Sequence, residues 1–277
     1  MSVLIHHTLQ SFRSTRKKNL RLALVPTMGA LHEGHLSLVR LAKEHADEVV
    51  VSIFVNPTQF APHEDFASYP RGLEEDLAQL TKLKVAHAYV PDVQDLYPAG
   101  PRTMVVPGPI ASKLEGQYRP NFFDGVATVV NKLLGGLAPD LAIFGEKDFQ
   151  QIMVVRQMVE DCRLPCEILA APTMREDDGL AMSSRNQYLD QTQRAKAAGM
   201  YKTLNEIKNM LHMGSLPVAQ APVLGAQMLL QAGFDKVDYV NLVDLPEMNN
   251  AKTYQQGQRL LAAAWLGNTR LIDNIEP

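Results

Sequence analysis

The stretch Leu22-Ala-Leu-Val-Pro-Thr-Met-Gly-Ala-Leu-His-Glu-Gly-His-Leu-Ser-Leu-Val39 decides the fold of this 277-residue chain. Its first four residues are apolar and predict a buried parallel strand over 22–25. Gly29 and Gly34 then mark a tight turn, and apolar residues at helical spacing continue to His45. A strand that leads through a glycine-bearing turn into a helix is typical of phosphate-binding α/β sheets. The helix N-terminus offers unpaired backbone N–H groups and a positive dipole end, and both favour an anion.

Two histidines stand at this turn. His32 and His35 are three residues apart, so at the start of a helix both rings reach the same face. An imidazole there can donate a hydrogen bond to a phosphoryl oxygen as negative charge shifts during a reaction. The alternative is a pair of structural histidines on an ordinary strand–turn–helix unit. The spacing does not match the zinc-protease pattern, whose histidines are four residues apart.

Length and composition are those of an ordinary globular protein, with 46% hydrophobic and 21% charged residues, and they allow two modest domains or one large one. A net charge of −3 gives no general attraction for nucleic acid or for an anionic membrane, so we expect neither as a partner. The two cysteines indicate neither a disulfide scaffold nor a zinc ribbon, and they suit a reducing cytoplasm. The basic N-terminal region does not resemble an export signal, and the apolar runs are too short to span a membrane.

Apolar runs and helical patterns alternate along the first two-thirds of the chain. Further strands are predicted at 48–55, 85–91, 139–144 and 165–173, with a short one at 104–107. Helices are predicted within 3–18 and at 73–84, 123–134 and 149–162. Gly135 and Gly136 are expected to end the third of these helices, and Leu73, Leu77, Leu80 and Leu83 are expected to face inward from the second. The alternation predicts an α/β fold with a Rossmann-like parallel sheet and helices on both faces.

The composition shifts after Asn186. Helices are predicted at 191–211 and 218–232, and strands at 236–243, 260–265 and 269–273. This order is typical of a small α+β unit with an antiparallel sheet. We therefore predict a nucleotide-binding domain over 1–186 and a smaller C-terminal lid domain over 187–277.

Polar residues follow the predicted strands, where α/β sheets bind their ligands. Gln59 offers a donor and an acceptor to a hydroxyl or a carboxylate, although a solvated glutamine is the alternative. Residues 61–70 are irregular enough to form a mobile lid. Lys147 stands at a second strand–turn–helix junction and suits a phosphate, although it could instead pair with Glu146 or Asp148 at the surface.

The sequence Ser183-Ser184-Arg185 combines two hydroxyls with a planar guanidinium, which suits a triphosphate. The alternative is a simple helix cap, because serine is a preferred N-cap residue. No Walker A spacing occurs in the chain, so a P-loop is excluded as the nucleotide site.

The His-Glu-Gly-His sequence is similar to the His-x-Gly-His element of the nucleotidylyltransferase superfamily, and six separated segments resemble the pantothenate synthetase family. The segments are 26–35, 54–60, 69–71, 123 with 125–130, 144–151 and 174–186. Their order and spacing are more specific than any single motif. The resemblance implies a homodimeric enzyme that uses ATP and Mg²⁺ to join pantoate to β-alanine through a pantoyl adenylate, with release of pyrophosphate and AMP.

The resemblance also implies roles for individual residues. It implies an ATP-binding turn made of Met28, Gly29, Ala30, Leu31, His32, Glu33, Gly34 and His35, in which His32 and His35 stabilise the phosphates and His35 is the catalytic histidine. It assigns ribose and phosphate contacts to Gly145, Glu146, Lys147 and Asp148. Adenine and triphosphate contacts fall to Met174, Met182, Ser183, Ser184 and Arg185.

The same resemblance implies that Gln59 and Gln151 hold pantoate and that Asp76 and Glu75 are the candidate magnesium ligands. The expected catalytic set is His35, His32, Lys147, Ser183, Ser184 and Arg185. These groups would act by stabilising charge, because attack of a carboxylate on phosphorus requires no protein nucleophile. Two alternatives remain at this stage. One is a nucleotidylyltransferase that releases a nucleotidyl product, and the other is a non-catalytic ATP-binding module.

Overall fold

The structure, a computed structural model, describes residues 2–62 and 64–277, so Met1 and His63 lie outside the described part. The strands in this part are Leu4–His6 (β1), Leu22–Thr27 (β2), Glu48–Ile53 (β3), His87–Tyr89 (β4), Leu141–Gly145 (β5), Glu167–Ala171 (β6), Lys236–Asp244 (β7), Asn249–Asn250 (β8), Arg259–Leu266 (β9) and Thr269–Ile275 (β10). The α-helices are Leu9–Thr15 (α1), Glu33–His45 (α2), Leu73–Lys82 (α3), Val93–Leu96 (α4), Glu115–Tyr118 (α5), Phe122–Leu137 (α6), Phe149–Asp161 (α7), Gln191–Ala197 (α8), Gly199–His212 (α9) and Ala221–Gln231 (α10).

The first six strands form one parallel sheet in the order β1-β4-β3-β2-β5-β6. Strand β2 lies inside it and is covered on both faces. Leu22 and Leu24 belong to the apolar cluster that contains residues of α6, whereas Ala23 and Val25 belong to the cluster that contains residues of α2. This double burial explains the continuous apolar sequence. The predicted α/β fold with helices on both faces is confirmed.

The last four strands form an antiparallel sheet in the order β10-β9-β7-β8, as predicted for the C-terminal part. Its buried face packs with α9 and α10 in a separate apolar cluster that includes Leu204, Leu229 and Leu260. The domain boundary at residue 186 stays a prediction.

Several element predictions were wrong in detail. Strand β1 was missed, because three residues at a sheet edge are too few to show a period. Residues 104–107 form no strand; the N–H of Val105 donates to Thr128 Oγ1 of α6. Helix α6 continues through Gly135 and Gly136 and ends at Leu137. Gly136 packs closely against Leu9 of α1, which gives the missing side chain a packing reason.

Two helices also differ from their predicted pattern. In α3 the first residue, Leu73, is 39% exposed, whereas Asp76 and Leu80 are buried. The predicted helix over 191–211 is divided into α8 and α9 at Ala198. In the part of the chain that the structure describes, no helix is both long enough and apolar enough to cross a membrane.

Candidate active site

A cavity of about 920 Å³ opens at the carboxyl ends of β2, β3 and β5. Strands β2 and β5 are neighbours, but the chain continues from them to opposite sides of the sheet. Such a switch point leaves a crevice between the two following turns, and ligands of open α/β sheets bind there. The β2–α2 turn supplies one wall and the β5–α7 turn supplies another. Residues of β10 from the antiparallel sheet also line the cavity.

The β2–α2 turn is held by a carboxylate from α3. Gly29 and Ala30 both have positive φ angles, 82° and 50°, which turn successive N–H groups toward one point. The N–H groups of Leu31 and Ala30 donate to Asp76 Oδ1 and Oδ2, at 2.7 and 3.0 Å. The sequence pointed to backbone N–H groups that would bind an external anion. Asp76 occupies two N–H groups of the preceding turn, those of Ala30 and Leu31, which lie before the N-cap residue His32 of α2.

This contact changes the role expected of Asp76. The side chain is only 2% exposed, and burial raises its pKa against the opposing effect of the two N–H donors. Both carboxylate oxygens hold the turn, so Asp76 has a structural function, and the magnesium ligation implied by the resemblance stays a prediction. Its neighbour Glu75 is exposed on α3. Among the residues that the structure describes, no cluster of three or more His, Cys, Asp or Glu side chains is arranged to hold a metal ion.

His32 and His35 cap the first turn of α2. His32 is the N-cap residue, and its Nδ1 accepts from the N–H of Gly34 at 3.2 Å. The Nδ1 of His35 accepts from the N–H of His32 at 3.4 Å, which completes a reciprocal capping arrangement. A neutral imidazole that accepts at Nδ1 carries its proton at Nε2. Both rings line the cavity, with ring centroids 4.1 Å apart.

The surroundings keep both imidazoles neutral. Burial and the positive charge of Lys147, opposed by Asp148, together lower the pKa of His32 to about 4. Burial, His32 and Lys147 together lower the pKa of His35 to about 3. At neutral pH the pair therefore offers two uncharged N–H donors. Such donors can stabilise charge that develops on a phosphoryl oxygen without binding the ground-state anion as strongly as an imidazolium would.

Gly34 is required by the position of the His32 ring. A Cβ atom at residue 34 would lie 2.8 Å from His32 Cε1 and 2.9 Å from its Nδ1. The glycine between the two histidines therefore allows the first ring to fold back onto its own helix. This contact gives the His-x-Gly-His pattern a packing explanation.

Lys147 faces the histidines from the β5–α7 junction. It lies in a 3₁₀ turn, Glu146–Asp148, and its side chain is 19% exposed. Its Nζ is 3.8 Å from Asp148 Oδ1, so the pairing considered from the sequence is present. The lysine nevertheless lines the cavity, and its charge acts on both histidines. Gly145 and Asp148 line the cavity with it.

Gln59 is buried in the cavity wall beyond β3. Its Oε1 accepts from Asn56 Nδ2 at 3.1 Å, and its Nε2 contacts Met28 Sδ at 3.2 Å. The same Asn56 amide donates to the carbonyl of Gly125, where α6 approaches the loop closely. Asn56 therefore fixes which end of the Gln59 amide is the donor. Gln151, at the start of α7, also lines the cavity.

The Ser183–Arg185 segment closes another side of the cavity. Ser183 caps a 3₁₀ helix, Ser184–Tyr188, by accepting from the N–H of Arg185, and its side chain also lines the cavity. Ser184 Oγ donates to the carbonyl of Ala30 at 3.3 Å. Arg185 forms a bidentate pair with Asp65 at 3.0 and 2.9 Å, and its guanidinium is therefore occupied in this state. Although burial opposes ionisation, Arg185 holds the pKa of Asp65 below its ordinary value.

The structure brings together most of the residues expected at the site. The cavity lining includes Met28, His32, Gly34, His35, Gln59, Gly145, Lys147, Asp148, Gln151, Met174, Met182, Ser183, Ser184 and Arg185. Seven residues of the expected set lie outside the lining that the described residues form: Gly29, Ala30, Leu31, Glu33, Glu75, Asp76 and Glu146. The first three shape the turn, and Glu33 pairs with Arg40 on the exposed side of α2.

Sequence reasoning missed several residues of the site. Asn56 had a local signal, because it precedes Pro57 in the loop that carries Gln59. Asp65 lay inside the predicted lid, whose residue His63 is outside the described part. Asn274 and Arg270, from β10, had no recognisable signal because they come from a different sheet.

Comparison with known proteins agrees with this geometry. The family model described as pantoate-beta-alanine ligase matches residues 4–276. The chain belongs to this family. It is 52% identical over 262 residues to the pantothenate synthetase of Rhodopseudomonas palustris strain HaA2, with 94% of this chain and 92% of that protein covered. It is 49% identical to the pantothenate synthetase of strain BisA53, with coverage of 99% and 98%.

Solved structures of pantoate–β-alanine ligases have the same fold. The pantothenate synthetase of Thermus thermophilus aligns with a TM-score of 0.94 at 41% identity, over 99% of both chains. The pantoate–β-alanine ligase of Francisella tularensis aligns with a TM-score of 0.80 at 34% identity, over 99% of this chain and 98% of that chain. The Francisella structure is described as complexed with beta-gamma ATP and beta-alanine.

Proposed function

We propose that this chain is a pantoate–β-alanine ligase that forms pantothenate from ATP, pantoate and β-alanine through a pantoyl adenylate. One observation carries the proposal. Two neutral histidine donors and a lysine line the same cavity as the glutamines Gln59 and Gln151. A site that stabilises phosphoryl charge is thus combined with a site that binds a small polar acid. Membership of the family supports the choice of substrates.

The chemistry requires positioning and charge stabilisation. In the first step a pantoate carboxylate oxygen forms a bond to the α-phosphorus, and the bond from that phosphorus to the bridging oxygen of pyrophosphate breaks. Negative charge grows on the phosphoryl oxygens and on the leaving group. We assign the Nε2–H groups of His32 and His35 and the ammonium group of Lys147 to these oxygens. Preorganised donors of this kind act without a reorganisation cost during the reaction.

In the second step the amine of β-alanine attacks the acyl carbon of the adenylate. A C–N bond forms, the bond to AMP breaks, and the amine loses a proton. We assign Gln59 and Gln151 to pantoate, where an amide can accept from a hydroxyl and donate to a carboxylate. Asn56 holds Gln59 in one orientation, which suits this double contact.

Arg185 and the two serines are assigned to the triphosphate. Since Arg185 is paired with Asp65, binding of ATP would have to exchange or share that carboxylate. Met174 and Met182 are assigned to the adenine, as adaptable apolar contacts. The glycine, glutamate and aspartate around Lys147 are assigned to the ribose and phosphates.

Magnesium is proposed as the ion that neutralises the phosphates. Mg²⁺ is commonly bound through substrate phosphates with only one or two carboxylates, so it requires no dedicated protein cage. A site without a clustered set of metal-binding side chains in the described residues fits that mode. A homodimer is also proposed, on the basis of the family resemblance. A cytoplasmic location is proposed because Cys162 and Cys166 are not joined in a disulfide.

The test measures the two products separately. The protein is incubated with ATP and Mg²⁺, with or without pantoate, and pyrophosphate is quantified; β-alanine is then added and AMP is quantified. We expect pantoate-dependent pyrophosphate and then amine-dependent AMP. Pyrophosphate with other acids but not with pantoate would overturn the substrate assignment. AMP release that does not depend on β-alanine would favour a nucleotidylyltransferase that releases a nucleotidyl product. ATP binding without pyrophosphate release would favour a non-catalytic ATP-binding module.

A further inference from the structure

Asn274, near the end of β10, contacts the turn that carries Lys147. Its Nδ2 donates to the carbonyl oxygens of Glu146 and Lys147, both at 2.9 Å. The residue is 2% exposed, and it lies 127 positions after Lys147. Both N–H bonds of one amide therefore connect the antiparallel sheet to the turn Glu146–Asp148, the lysine turn, which follows strand β5 of the parallel sheet.

The lysine turn has few other side-chain constraints at its ends. Its N-cap residue, Gly145, has no side chain to cap it, and Asp148 makes no capping hydrogen bond to α7. A short 3₁₀ turn has poorer hydrogen-bond geometry than an α-helix. The two hydrogen bonds from Asn274 thus fix the directions of the Glu146 and Lys147 carbonyl groups, and with them the backbone on both sides of the Lys147 Cα atom.

Asn274 is itself held in one orientation. Its Oδ1 accepts from Arg259 Nε at 2.7 Å, so the amide nitrogen must face the turn. Arg259 also donates to the Glu146 carboxylate at 3.0 Å, and its guanidinium lies over the Phe149 ring. The backbone N–H of Asn274 donates to Asp273, which forms a bidentate pair with Arg175. These contacts exclude the flipped orientation of the Asn274 amide, in which its oxygen and nitrogen would be exchanged.

We propose that Asn274 is a positioning residue for Lys147 in the adenylation step, an inference that rests on the phosphate-binding role proposed for Lys147. Lysine has a long flexible side chain, so its ammonium group is placed accurately only if its backbone is fixed. A displacement of about 1 Å at a reacting centre can reduce a rate by about 10²-fold. Strand β10 of the antiparallel sheet would thus control how accurately the Lys147 ammonium group is placed at the edge of the parallel sheet.

The test is a double-substitution cycle with Asn274→Asp and Lys147→Ala. Asn274→Asp keeps the size of the side chain and its acceptor for Arg259, but removes both N–H donors. We expect the single-turnover rate of pyrophosphate release at saturating ATP and pantoate to fall about 10- to 100-fold. In the Lys147→Ala background the same substitution should change the residual rate less than about 2-fold, because residues that act as a unit are non-additive.

Two controls separate positioning from folding. Asn250→Asp makes the same change on β8, at the opposite edge of the antiparallel sheet, and should leave the rate unchanged. Asn274→Ala removes the donors without adding a charge and should reproduce the loss. The half-saturating ATP concentration should change less than the rate, whereas a general disturbance of the cavity would change both.

The outcomes distinguish the two proposals. If Lys147→Ala lowers the rate but both Asn274 variants are normal, only the positioning role is overturned. Equal losses in the two Lys147 backgrounds would also overturn it, because Asn274 would then act independently of the lysine. A normal rate for Lys147→Ala would overturn the role of the lysine and the inference together.

Discussion

At the scale of the residue, each imidazole at the start of α2 uses its two nitrogens for different tasks. In His35 the Nδ1 accepts from the N–H of His32, and the Nε2 is left as the donor of a ring that lines the cavity. An asparagine places an acceptor near the position of Nδ1, whereas a glutamine places an amide nitrogen near that of Nε2. The two substitutions therefore separate capping from chemistry.

We predict that His35→Asn keeps the stability of the protein but lowers the rate of pantoyl adenylate formation at least about 10²-fold, the usual loss when a preorganised donor is removed. His35→Gln should retain more of the rate and lose about 1 kcal/mol of unfolding free energy, as expected for a lost helix cap. The measurements are pyrophosphate release and chemical denaturation. His45→Asn, on the exposed last turn of the same helix, is the matched control. A near-normal rate for His35→Asn would exclude the ring from the reaction.

At the scale of the element, the β2–α2 turn depends on a third element, α3. The Asp76 carboxylate satisfies two N–H groups that the positive φ angles of Gly29 and Ala30 direct at it. A Cβ at Gly29 would lie 3.0 Å from Asp76 Oδ2, so the close approach needs the glycine. The turn that presents the histidines is thus held in place by the Asp76 side chain of α3.

Asp76→Asn should therefore lower the free energy of unfolding by about 1–3 kcal/mol, because one N–H group would face an amide N–H in place of an oxygen. The adenylation rate should fall as the histidines lose their fixed position. The Mg²⁺ concentration that gives half-maximal rate should remain unchanged. Glu75→Gln, one residue earlier on the exposed face of α3, should change none of these three quantities. A higher Mg²⁺ requirement in the Asp76 variant alone would instead support the metal-ligand assignment.

The elements were predictable from the sequence where burial made their pattern continuous. Strand β2 is apolar at four successive positions because both faces are covered, and this pattern is visible without any structure. Helix α6 shows the limit of local rules. Its glycines predicted an end at residue 134, but packing against α1 carries the helix to Leu137. Propensity near a helix end is weak compared with tertiary contacts.

The site was predictable in its local motifs and not in its long-range support. The histidines and Lys147 follow strands of recognisable pattern, so their meeting at one sheet edge could be inferred. The pairing of Arg185 with Asp65 and the contact of Asn274 with the lysine turn join segments more than a hundred residues apart. Such partners depend on how the two sheets pack together, which no local pattern encodes.

At the scale of the whole molecule, the half-buried neutral histidines of α2 make stability depend on pH. In the unfolded chain a histidine takes up a proton near pH 6.5, whereas in the native protein His32 does so at about 4 and His35 at about 3. Between these values the unfolded chain binds more protons. The free energy of unfolding should therefore fall as the pH decreases from about 6.5 toward 4, by at most about 1.4 kcal/mol per pH unit for each histidine.

Denaturant unfolding at a series of pH values checks this prediction. His35→Asn should reduce the slope between pH 6.5 and 5, because it removes one of the groups that titrate differently in the two states. A slope that is identical in the His35 variant and the wild type would show that His35 is not held neutral.

The cavity takes its walls from residues as distant as Pro26 and Asn274, and so from both sheets. A molecule that fills it binds only the chain in which the two sheets are packed together. At a concentration a hundred times its dissociation constant, such a ligand adds about 2.7 kcal/mol to the stability of the native state. Degradation in a cell frequently starts from the transiently opened chain. The supply of substrate would then set the lifetime of this protein as well as its rate of turnover.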